Sequence, residues 1–433
     1  MELMQQNFIE KGYQIVPFDK KADVYVVNTC TVTNIADRKS RQMLHRARKL
    51  NPDALVVAAG CYVQTDSAGA TADEAIDIAV GNNHKTEMVE IVEKYLSERS
   101  GGDKLHGSEC IISDLAVPVP YERGNLKTSN ERIRVDVKIQ DGCNQFCTYC
   151  AIPLARGRVR SRSLEDILEE VENLNKAGFK EIVLTGIHLS SYGLDLDENS
   201  SSYNNAACEE EFTNERLLKV IEEVARMEDV RRIRLGSLEP RVITEGFLRR
   251  ISAVDKVCPH FHLSLQSGCD ETLKRMNRRY TTEEFRDKVR LIREYYEHPA
   301  ITTDVITGFP GEDDEEFERS YEFIKSIDFY ETHVFKYSKR KNTAAAVMPG
   351  QNTEAVKAAR SERLIALSEE NRKRFARDLI GRKVSILIEE NLEIGGRLRS
   401  VGYTGDYVRI AADKGEINSI VEVEVNEDDL VDL

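Results

Sequence analysis

The sequence predicts a multidomain α/β protein in which a small antiparallel β-barrel follows two parallel-sheet domains. Three observations support this fold class. First, a chain of 433 residues is too long to fold around a single hydrophobic core of ordinary size. Second, short β-branched runs alternate with helical patterns in 131–376, and third, closely spaced strand-like runs fill 377–433. Alternating strands and helices favour parallel sheets with right-handed crossovers. We therefore expect domains at 1–100, 131–376 and 377–433, with a linker at 101–130.

Composition and charge exclude several classes of protein. No apolar run approaches the roughly 18 to 20 residues of a membrane span, and the N-terminus lacks the features of a signal peptide. We therefore expect a cytoplasmic protein with no membrane partner, whose nine cysteines stay reduced and favour metal ligation over disulfides. The net charge of −14 argues against a generally basic surface that would bind nucleic acid, but it is compatible with local basic patches at 38–49 and 155–162.

Residues 1–100 predict a Rossmann-like α/β domain. The buried-strand runs DVYVVNT and ALVVAAG end directly before Cys30 and Cys61. Because the carboxyl ends of parallel strands share one edge of a sheet, we expect the two thiols to meet there. The alternative is a pair of buried cysteines that act as small hydrophobic residues.

Six apolar runs in 131–376 predict either an open doubly wound sheet or a curved partial barrel. The runs are RIRVDVKIQ, EIVLTG, RRIRLGS, HFHLSLQS, AITTDVITGF and ETHVFKYS. Polar and glycine residues follow several of them, and chemistry gathers at such strand ends in both architectures. Ordinary loops with helix caps would explain part of this pattern. The polar stretch 194–212 is interpreted as a mobile surface insertion, with Cys208 as a free thiol.

The stretch DGCNQFCTYCAIP places Cys143, Cys147 and Cys150 within eight residues. A zinc site would need a second close pair of ligands, and the sequence has no other CxxC. A cubane iron–sulfur cluster normally takes four thiolates. Three thiolates would leave one iron open to a ligand with oxygen and nitrogen donors.

This C-x3-C-x2-C motif, on the first loop of a six-fold βα unit, resembles that of the radical S-adenosylmethionine enzymes. The resemblance implies that the three cysteines hold a [4Fe-4S] cluster and that S-adenosylmethionine chelates its open iron. It also implies cofactor contacts near the strand ends: Thr185 and Gly186 for the methionine amino group, Ser237 and Glu239 for the ribose or methionine part, and Ile306 and Gly308 for the adenine.

The whole chain is similar to the methylthiotransferases almost end to end. The matching motifs are NTCTVTNIADRKSRQ, AAGCYVQ, GCNQFCTYCAIPLARGRVRSR, LGSLEP, LSLQSGCDETLKRMNRRYT and DVITGFPGE. The resemblance implies an N-terminal methylthiotransferase domain, a central partial (βα)6 radical domain and a C-terminal TRAM domain.

The first and third of these motifs most resemble the MtaB type. That type adds a 2-methylthio group to N6-threonylcarbamoyladenosine at position 37 of tRNA. The alternatives are the branches that act on isopentenyladenosine in tRNA or on a ribosomal-protein aspartate, and a non-catalytic metal-containing RNA-binding protein.

The resemblance further implies partners and a second [4Fe-4S] cluster. The partners are the tRNA anticodon loop, an electron donor and a sulfur source. Cys30 and Cys61 would hold the second cluster, but family members carry a third cysteine on a preceding strand. We therefore expect that the start is truncated and the first strand missing, with an impaired second cluster as the alternative. The candidates for phosphate contacts are Arg156, Arg158, Arg160 and Arg162.

Overall fold

The computed structural model describes residues 1–31, 33–99, 109–115, 117, 119–127, 133–196 and 213–431. Contacts divide the chain into two compact units. The first comprises Met1–Leu126, Asp141–Arg162 and Ser338–Val347, and the second comprises Lys127–Gln140, Ser163–Tyr337 and Met348–Leu433. The loop with the three clustered cysteines thus belongs to the same unit as the N-terminal residues. The insertion predicted at 194–212, with Cys208, lies outside the described residues from position 197 onward.

The helices and strands follow one another in two stretches. The first stretch contains α1 (Glu2–Glu10), β1 (Val24–Thr29), α2 (Asn34–Leu50), β2 (Leu55–Gly60), α3 (Cys61–Thr65), α4 (Ser67–Ala72), β3 (Ile78–Val80), α5 (Met88–Arg99), β4 (Glu109–Ile111), β5 (Arg134–Asp141), α6 (Ile152–Arg156) and β6 (Arg160–Ser161). The second contains α7 (Leu164–Lys176), β7 (Glu181–Gly186), α8 (Glu215–Arg226), β8 (Arg232–Leu235), α9 (Glu245–Ser252), β9 (His260–His262), α10 (Asp270–Arg275), α11 (Thr282–Tyr295), β10 (Ala300–Thr307), α12 (Asp314–Ile327), β11 (Glu331–Lys336), α13 (Glu354–Arg377), β12 (Lys383–Ile394), β13 (Arg397–Thr404), β14 (Arg409–Ala412) and β15 (Ile420–Glu424).

The first unit is built on a parallel sheet with the strand order β1-β2-β3-β4. Every residue of β2 is buried, as expected for a parallel strand covered on both faces. Val56 packs in one apolar cluster with Leu44 of α2, whereas Val57 packs in another with Val92 of α5. Helices therefore cover both sides, and the predicted Rossmann-like arrangement is confirmed. Strand β4, which lies within the predicted linker, extends the sheet beside β3.

The second unit contains the six predicted parallel strands. They form the orders β5-β7-β8 and β9-β10-β11, and isolated parallel bridges at Ile233–Val257 and Leu238–Leu263 connect β8 and the residues after it to the region of β9. In β5 the buried residues alternate with more exposed ones. The two strand orders and the bridges between them are consistent with a partial barrel.

The C-terminal strands form a curved four-stranded antiparallel sheet in the order β14-β13-β12-β15, which amounts to half of a barrel. Its apolar side packs Ile386, Ile388 and Ile410 against Tyr330 and Ala376 of the central strands and helices. Within the described part of the chain, no helix has both the length and the apolar character that crossing a membrane requires.

A buried charge cluster joins the C-terminal sheet to the central sheet. Glu181 in β7 is fully buried, with its carboxylate 2.8 Å from Arg234 Nε and 3.5 Å from Arg232 Nη1. The two guanidinium groups also donate to the carbonyls of Tyr403, at 2.8 Å, and Gly405, at 2.9 Å. Glu181 therefore compensates two buried cations, which in turn hold the backbone of the C-terminal sheet.

We predict that Glu181→Gln destabilises the protein by about 3 to 5 kcal/mol, because it keeps the side-chain volume but leaves two buried arginines without their carboxylate. Urea unfolding followed by circular dichroism measures the change. The control is Glu172→Gln, which removes an exposed carboxylate paired with Lys176 at 2.7 Å and should cost less than about 1 kcal/mol. Equal midpoints for the two variants would contradict the prediction.

Candidate functional site

The loop that carries the clustered cysteines begins at a turn that only glycine fits. Gly142 follows β5 with φ +71°, and a Cβ on it would lie 1.8 Å from the Arg158 carbonyl oxygen. The next residue, Cys143, donates its N–H to the Gly157 carbonyl at 3.1 Å. The start of the loop is therefore held against the chain that follows α6.

The three thiols are half-buried, and backbone N–H groups point at two of them. Gln145 N–H donates to Cys143 Sγ at 3.4 Å, and Ile152 N–H donates to Cys150 Sγ at 3.4 Å. Such bonds stabilise thiolates and tune iron–sulfur clusters. Among the residues that the structure describes, no three His, Cys, Asp or Glu side chains converge closely enough to hold a metal ion. The donor chemistry nevertheless fits a cluster, because three thiols share one short loop.

Cys30 and Cys61 lie at one edge of the N-terminal sheet, as predicted. The parallel register pairs Thr29 with Gly60, so each cysteine directly follows a paired strand end. Cys61 is buried and begins α3, whereas Cys30 is half-buried and donates its N–H to Ser40 Oγ at 3.2 Å. All five of the predicted cysteine ligands therefore belong to the first compact unit.

The Cys61 thiol has two polar neighbours: Asn82, which sequence reasoning missed, and Arg156, which it assigned to RNA contacts. Asn82 lies directly after Gly81 at the end of β3, and its Nδ2 is 2.7 Å from the Ala155 carbonyl and 3.4 Å from Cys61 Sγ. Because a carbonyl only accepts, the amide is oriented with its NH2 group between the two. Burial lowers the pKa of Arg156, but Asp141 and the Cys61 thiol outweigh it and leave that pKa raised.

The remaining cysteines are poorly suited to be ligands. Burial raises the pKa of Cys258 to about 11, beside the opposing charge of Arg234, so it stays a thiol. Burial also raises the pKa of Cys269, whose thiol donates to Glu271 at 3.0 Å. Cys110 is exposed on the short strand β4.

The predicted cofactor residues lie at strand ends of the second unit: Thr185 and Gly186 end β7, and Ser237 and Glu239 follow β8. Ser237 Oγ is 2.8 Å from Ser264 Oγ, which follows β9. The buried Glu239 carboxylate accepts from Arg241 Nε at 2.8 Å. Thr185 and Gly186 are half-buried.

Ile306 and Gly308 lie near the end of β10. Gly308 has φ +67°, and its N–H donates to the Glu312 carboxylate at 2.5 Å. Burial raises the pKa of Glu312, although Arg360, 2.8 Å away, opposes this effect. Ile306 is half-buried and pairs in register with Phe335 of β11. The structure thus brings these residues to the same end of the parallel strands.

His188 is a further residue of this strand-end region that sequence reasoning did not assign to the cofactor. Its backbone N–H donates to Gln140 Oε1 at 2.8 Å, and its ring atom Nδ1 lies 2.6 Å from Ser191 Oγ. The buried Nε2 has no hydrogen-bond partner among the described residues. Burial lowers the pKa of His188 to about 4 against the opposing effect of Glu239, so the ring is neutral at pH 7. An orphaned buried nitrogen two residues after Gly186 fits a polar ligand at this strand end.

The four candidate RNA-binding arginines have different environments. Arg156 is paired with Asp141 at 3.1 Å, and the buried Arg160 donates to Asn83 at 2.6 Å. Arg162 is also buried and is bound to Asn125. Of these four arginines only Arg158 is exposed. It lies over the exposed Phe146 ring, with 4.4 Å between its guanidinium carbon and the ring centroid.

Comparisons with known proteins identify the class. The profile of the Radical SAM superfamily matches residues 137–324, and that of the uncharacterized protein family UPF0004 matches residues 1–81. A solved radical S-adenosylmethionine methyltransferase, TsrM from Kitasatospora setae, aligns with 80% of this chain and 70% of its own, with a TM-score of 0.56 at 15% identity. That likeness concerns the fold alone. The thiol loop, the fold and the matched profile together define a radical S-adenosylmethionine enzyme.

Two relatives define the family more narrowly. The chain is 40% identical to the threonylcarbamoyladenosine tRNA methylthiotransferase MtaB of Bacillus subtilis, over 98% of this chain and 90% of the relative. It is 33% identical to the tRNA-2-methylthio-N(6)-dimethylallyladenosine synthase of Thermoanaerobacter pseudethanolicus, over 97% of this chain and 86% of the relative. The chain belongs to the MtaB-type methylthiotransferase family, which confirms the resemblance found in its motifs.

We predict that Gly142→Ala reduces the iron bound after anaerobic reconstitution by roughly half or more, because the added methyl group displaces the cysteine loop from its ligating position. Iron and protein assays on the same sample measure this. The control is Gly12→Ala, since Gly12 also has a positive φ, +86°, but no atom within 4 Å of the added Cβ. Iron binding that is equal in both variants would show that the turn does not position the loop.

Proposed function

We propose that the protein replaces the C2 hydrogen of N6-threonylcarbamoyladenosine, at position 37 of tRNA, with a methylthio group. The observation that carries this proposal is the 40% identity, over 98% of the chain, to a relative named for this substrate. The lower identity of 33% to the dimethylallyladenosine enzyme favours the threonylcarbamoyl substrate. Because the substrate is tRNA, we expect the protein to act in the cytoplasm.

Cys143, Cys147 and Cys150 would hold the [4Fe-4S] cluster of the radical domain. With S-adenosylmethionine bound, that cluster supplies one-electron chemistry able to break a strong carbon–hydrogen bond. The chain's own residues keep the loop in place: Gly142 makes the turn, and the N–H groups of Gln145 and Ile152 support the thiolates. The reaction also draws on an external electron donor and a sulfur source.

The strand ends of the second unit would bind S-adenosylmethionine. Thr185 and Gly186 are proposed for the methionine amino group, and Ser237 and Glu239 for the ribose or methionine part. The Glu239 carboxylate presents oxygen acceptors, which suit a ligand with hydroxyl and ammonium groups. The buried Nε2 of His188, which has no hydrogen-bond partner among the described residues, adds a further polar atom. Ile306 and Gly308 would flank the adenine, where the half-buried Ile306 offers an apolar side chain to a flat ring.

Cys30 and Cys61 would supply thiolates to a second cluster, with Asn82 as a hydrogen-bond donor to Cys61. Hydrogen bonds to cluster sulfurs raise the reduction potential because they stabilise the added electron. The two amide protons of Asn82 fit this role, since one meets the Ala155 carbonyl and the other reaches the sulfur.

The proposed RNA contacts concentrate on Arg158 and Phe146. An exposed guanidinium over an exposed aromatic ring offers both a phosphate ligand and a stacking surface for an unpaired base. The other three candidate arginines have intramolecular partners in the described structure: Arg156, Arg160 and Arg162. Their guanidinium groups are therefore less available for phosphate contacts than that of Arg158.

The function is tested with a triple variant, Cys143→Ala/Cys147→Ala/Cys150→Ala. We expect it to lose about four irons and to form no 5′-deoxyadenosine on reduction with S-adenosylmethionine. In a deletion strain that carries this variant, mass spectrometry of tRNA should find N6-threonylcarbamoyladenosine without its methylthio group. The control, Cys110→Ala, removes an exposed thiol and should restore the modification. Loss of the methylthio group from dimethylallyladenosine or from a ribosomal protein instead would overturn the proposed substrate.

We further predict that Asn82→Ala makes the second cluster harder to reduce, because Cys61 loses a hydrogen-bond donor. Redox titration followed by electron paramagnetic resonance would be performed in the background of the triple alanine variant, where the second cluster alone remains. The matched control is Asn83→Ala, which removes the partner of Arg160 but no donor to the thiol. A potential that moves only in the control, or in neither variant, would exclude Asn82 from this role.

A further inference from the structure

Helix α2 presents a continuous basic surface to solvent. We define the α2 basic face as the six exposed residues that line one shallow surface groove: Arg38, Arg41, Gln42, His45, Arg46 and Lys49. They recur at spacings of three and four residues, so they share one side of the helix. The opposite side carries Leu44 and Ala47, which are completely buried against the sheet.

In the described structure most of these basic side chains lack a close carboxylate, although Arg46 lies over the Phe18 ring, with 5.8 Å between its guanidinium carbon and the ring centroid. Arg41 has a distant carboxylate, Asp37 at 3.9 Å, and His45 lies 3.1 Å from Asp73. Within the described ranges, Arg38, Arg46 and Lys49 have no carboxylate within 4.0 Å.

Arg48, in the same helix, provides an internal contrast. Its guanidinium lies 2.6 Å from the Asp77 carboxylate and donates to the Ala54 carbonyl at 2.8 Å. A cation that stabilises this fold is thus bound to a carboxylate and to backbone oxygens, whereas the outward-facing cations of the same helix remain available to a partner.

Clustering these cations has a cost for the isolated protein. Like charges three or four residues apart on a helix repel one another, as do Arg38 with Arg41 and Arg46 with Lys49. The rest of the chain is acidic, with a net charge of −14. A polyanionic partner would relieve the repulsion that the described carboxylates leave uncompensated.

We propose that the α2 basic face binds the phosphate backbone of tRNA, an inference that rests on the proposed function for the identity of the RNA. The face extends about 16 Å from Arg38 to Lys49 at the helical rise per residue, which is long enough for several successive phosphates. Arginine is suited to this contact because its planar guanidinium donates two parallel hydrogen bonds to phosphate oxygens. The face contributes to the affinity for tRNA and to its orientation but not to sequence recognition, because phosphate contacts do not read the bases.

The test is a triple variant, Arg38→Gln/Arg41→Gln/Arg46→Gln, in the full-length reconstituted protein. Glutamine keeps a good helix propensity and removes three charges. Fluorescence anisotropy with labelled tRNA at several KCl concentrations should show an affinity weakened by about tenfold. The plot of the logarithm of the binding constant against the logarithm of the KCl concentration should have a slope shallower by about two, because each lost phosphate contact removes roughly 0.7 from it. Arg38→Lys/Arg41→Lys/Arg46→Lys keeps the charge and should retain most of the slope.

The matched control is Arg226→Gln/Arg290→Gln/Arg363→Gln, which removes three exposed arginines that each have a nearby carboxylate in the second unit. Iron content and circular dichroism verify that all variants are folded. Unchanged affinity and slope in the α2 variant would overturn the proposal. An equal loss in the control would also overturn it, because net charge alone would then explain the effect.

The same samples separate this inference from the proposed function. If the wild type methylthiolates tRNA and the α2 variant binds tRNA as tightly, the inference fails while the function stands. If the wild type binds tRNA through the face but produces no methylthio nucleoside, the function fails while the surface stands. Cleavage of S-adenosylmethionine in the absence of tRNA should be equal in the wild type and the α2 variant.

Discussion

The buried carboxylate of Asp141 is the group on which the cysteine loop depends. It accepts the Gly142 N–H at 2.8 Å and the Arg156 guanidinium at 3.1 Å, and it lies 3.7 Å from Arg160. A carboxylate removed from water needs such partners, because an unpaired buried charge is strongly destabilising. These ion pairs hold α6 and β6 against the start of the loop, so the residues on both sides of the cysteines are fixed by one charge.

The same carboxylate explains why arginines that look equivalent in sequence differ in structure. In ARGRVRSR the first and third arginines, Arg156 and Arg160, converge on Asp141, while Arg158 points to solvent over Phe146. The pattern of basic residues was visible in the sequence. The division of their roles was not, because it depends on partners distant in the chain, such as Asn83, which is 77 residues from Arg160.

Local signals predicted much of the fold and part of the site. The six parallel strands, the antiparallel C-terminal strands and the edge shared by Cys30 and Cys61 followed from apolar runs that end in turn residues or cysteines, whereas the predicted small barrel is a four-stranded half-barrel sheet. Asn82 and His188 were missed, although each lies just after a predicted or observed strand. The roles proposed for them rest on burial beside a thiol or a carboxylate, and burial of a polar side chain is set by long-range packing that no local pattern encodes.

The acidity of the whole chain and the basic face of α2 are compatible for a physical reason. Salt screens charges beyond about 10 Å, so a phosphate in contact with Arg38 or Arg46 interacts mainly with its neighbours on the helix and only weakly with distant carboxylates. The acidic remainder then disfavours phosphate contacts elsewhere. A polyanion is attracted at few places and repelled at many, and this contrast orients it more strongly than a uniformly basic surface would.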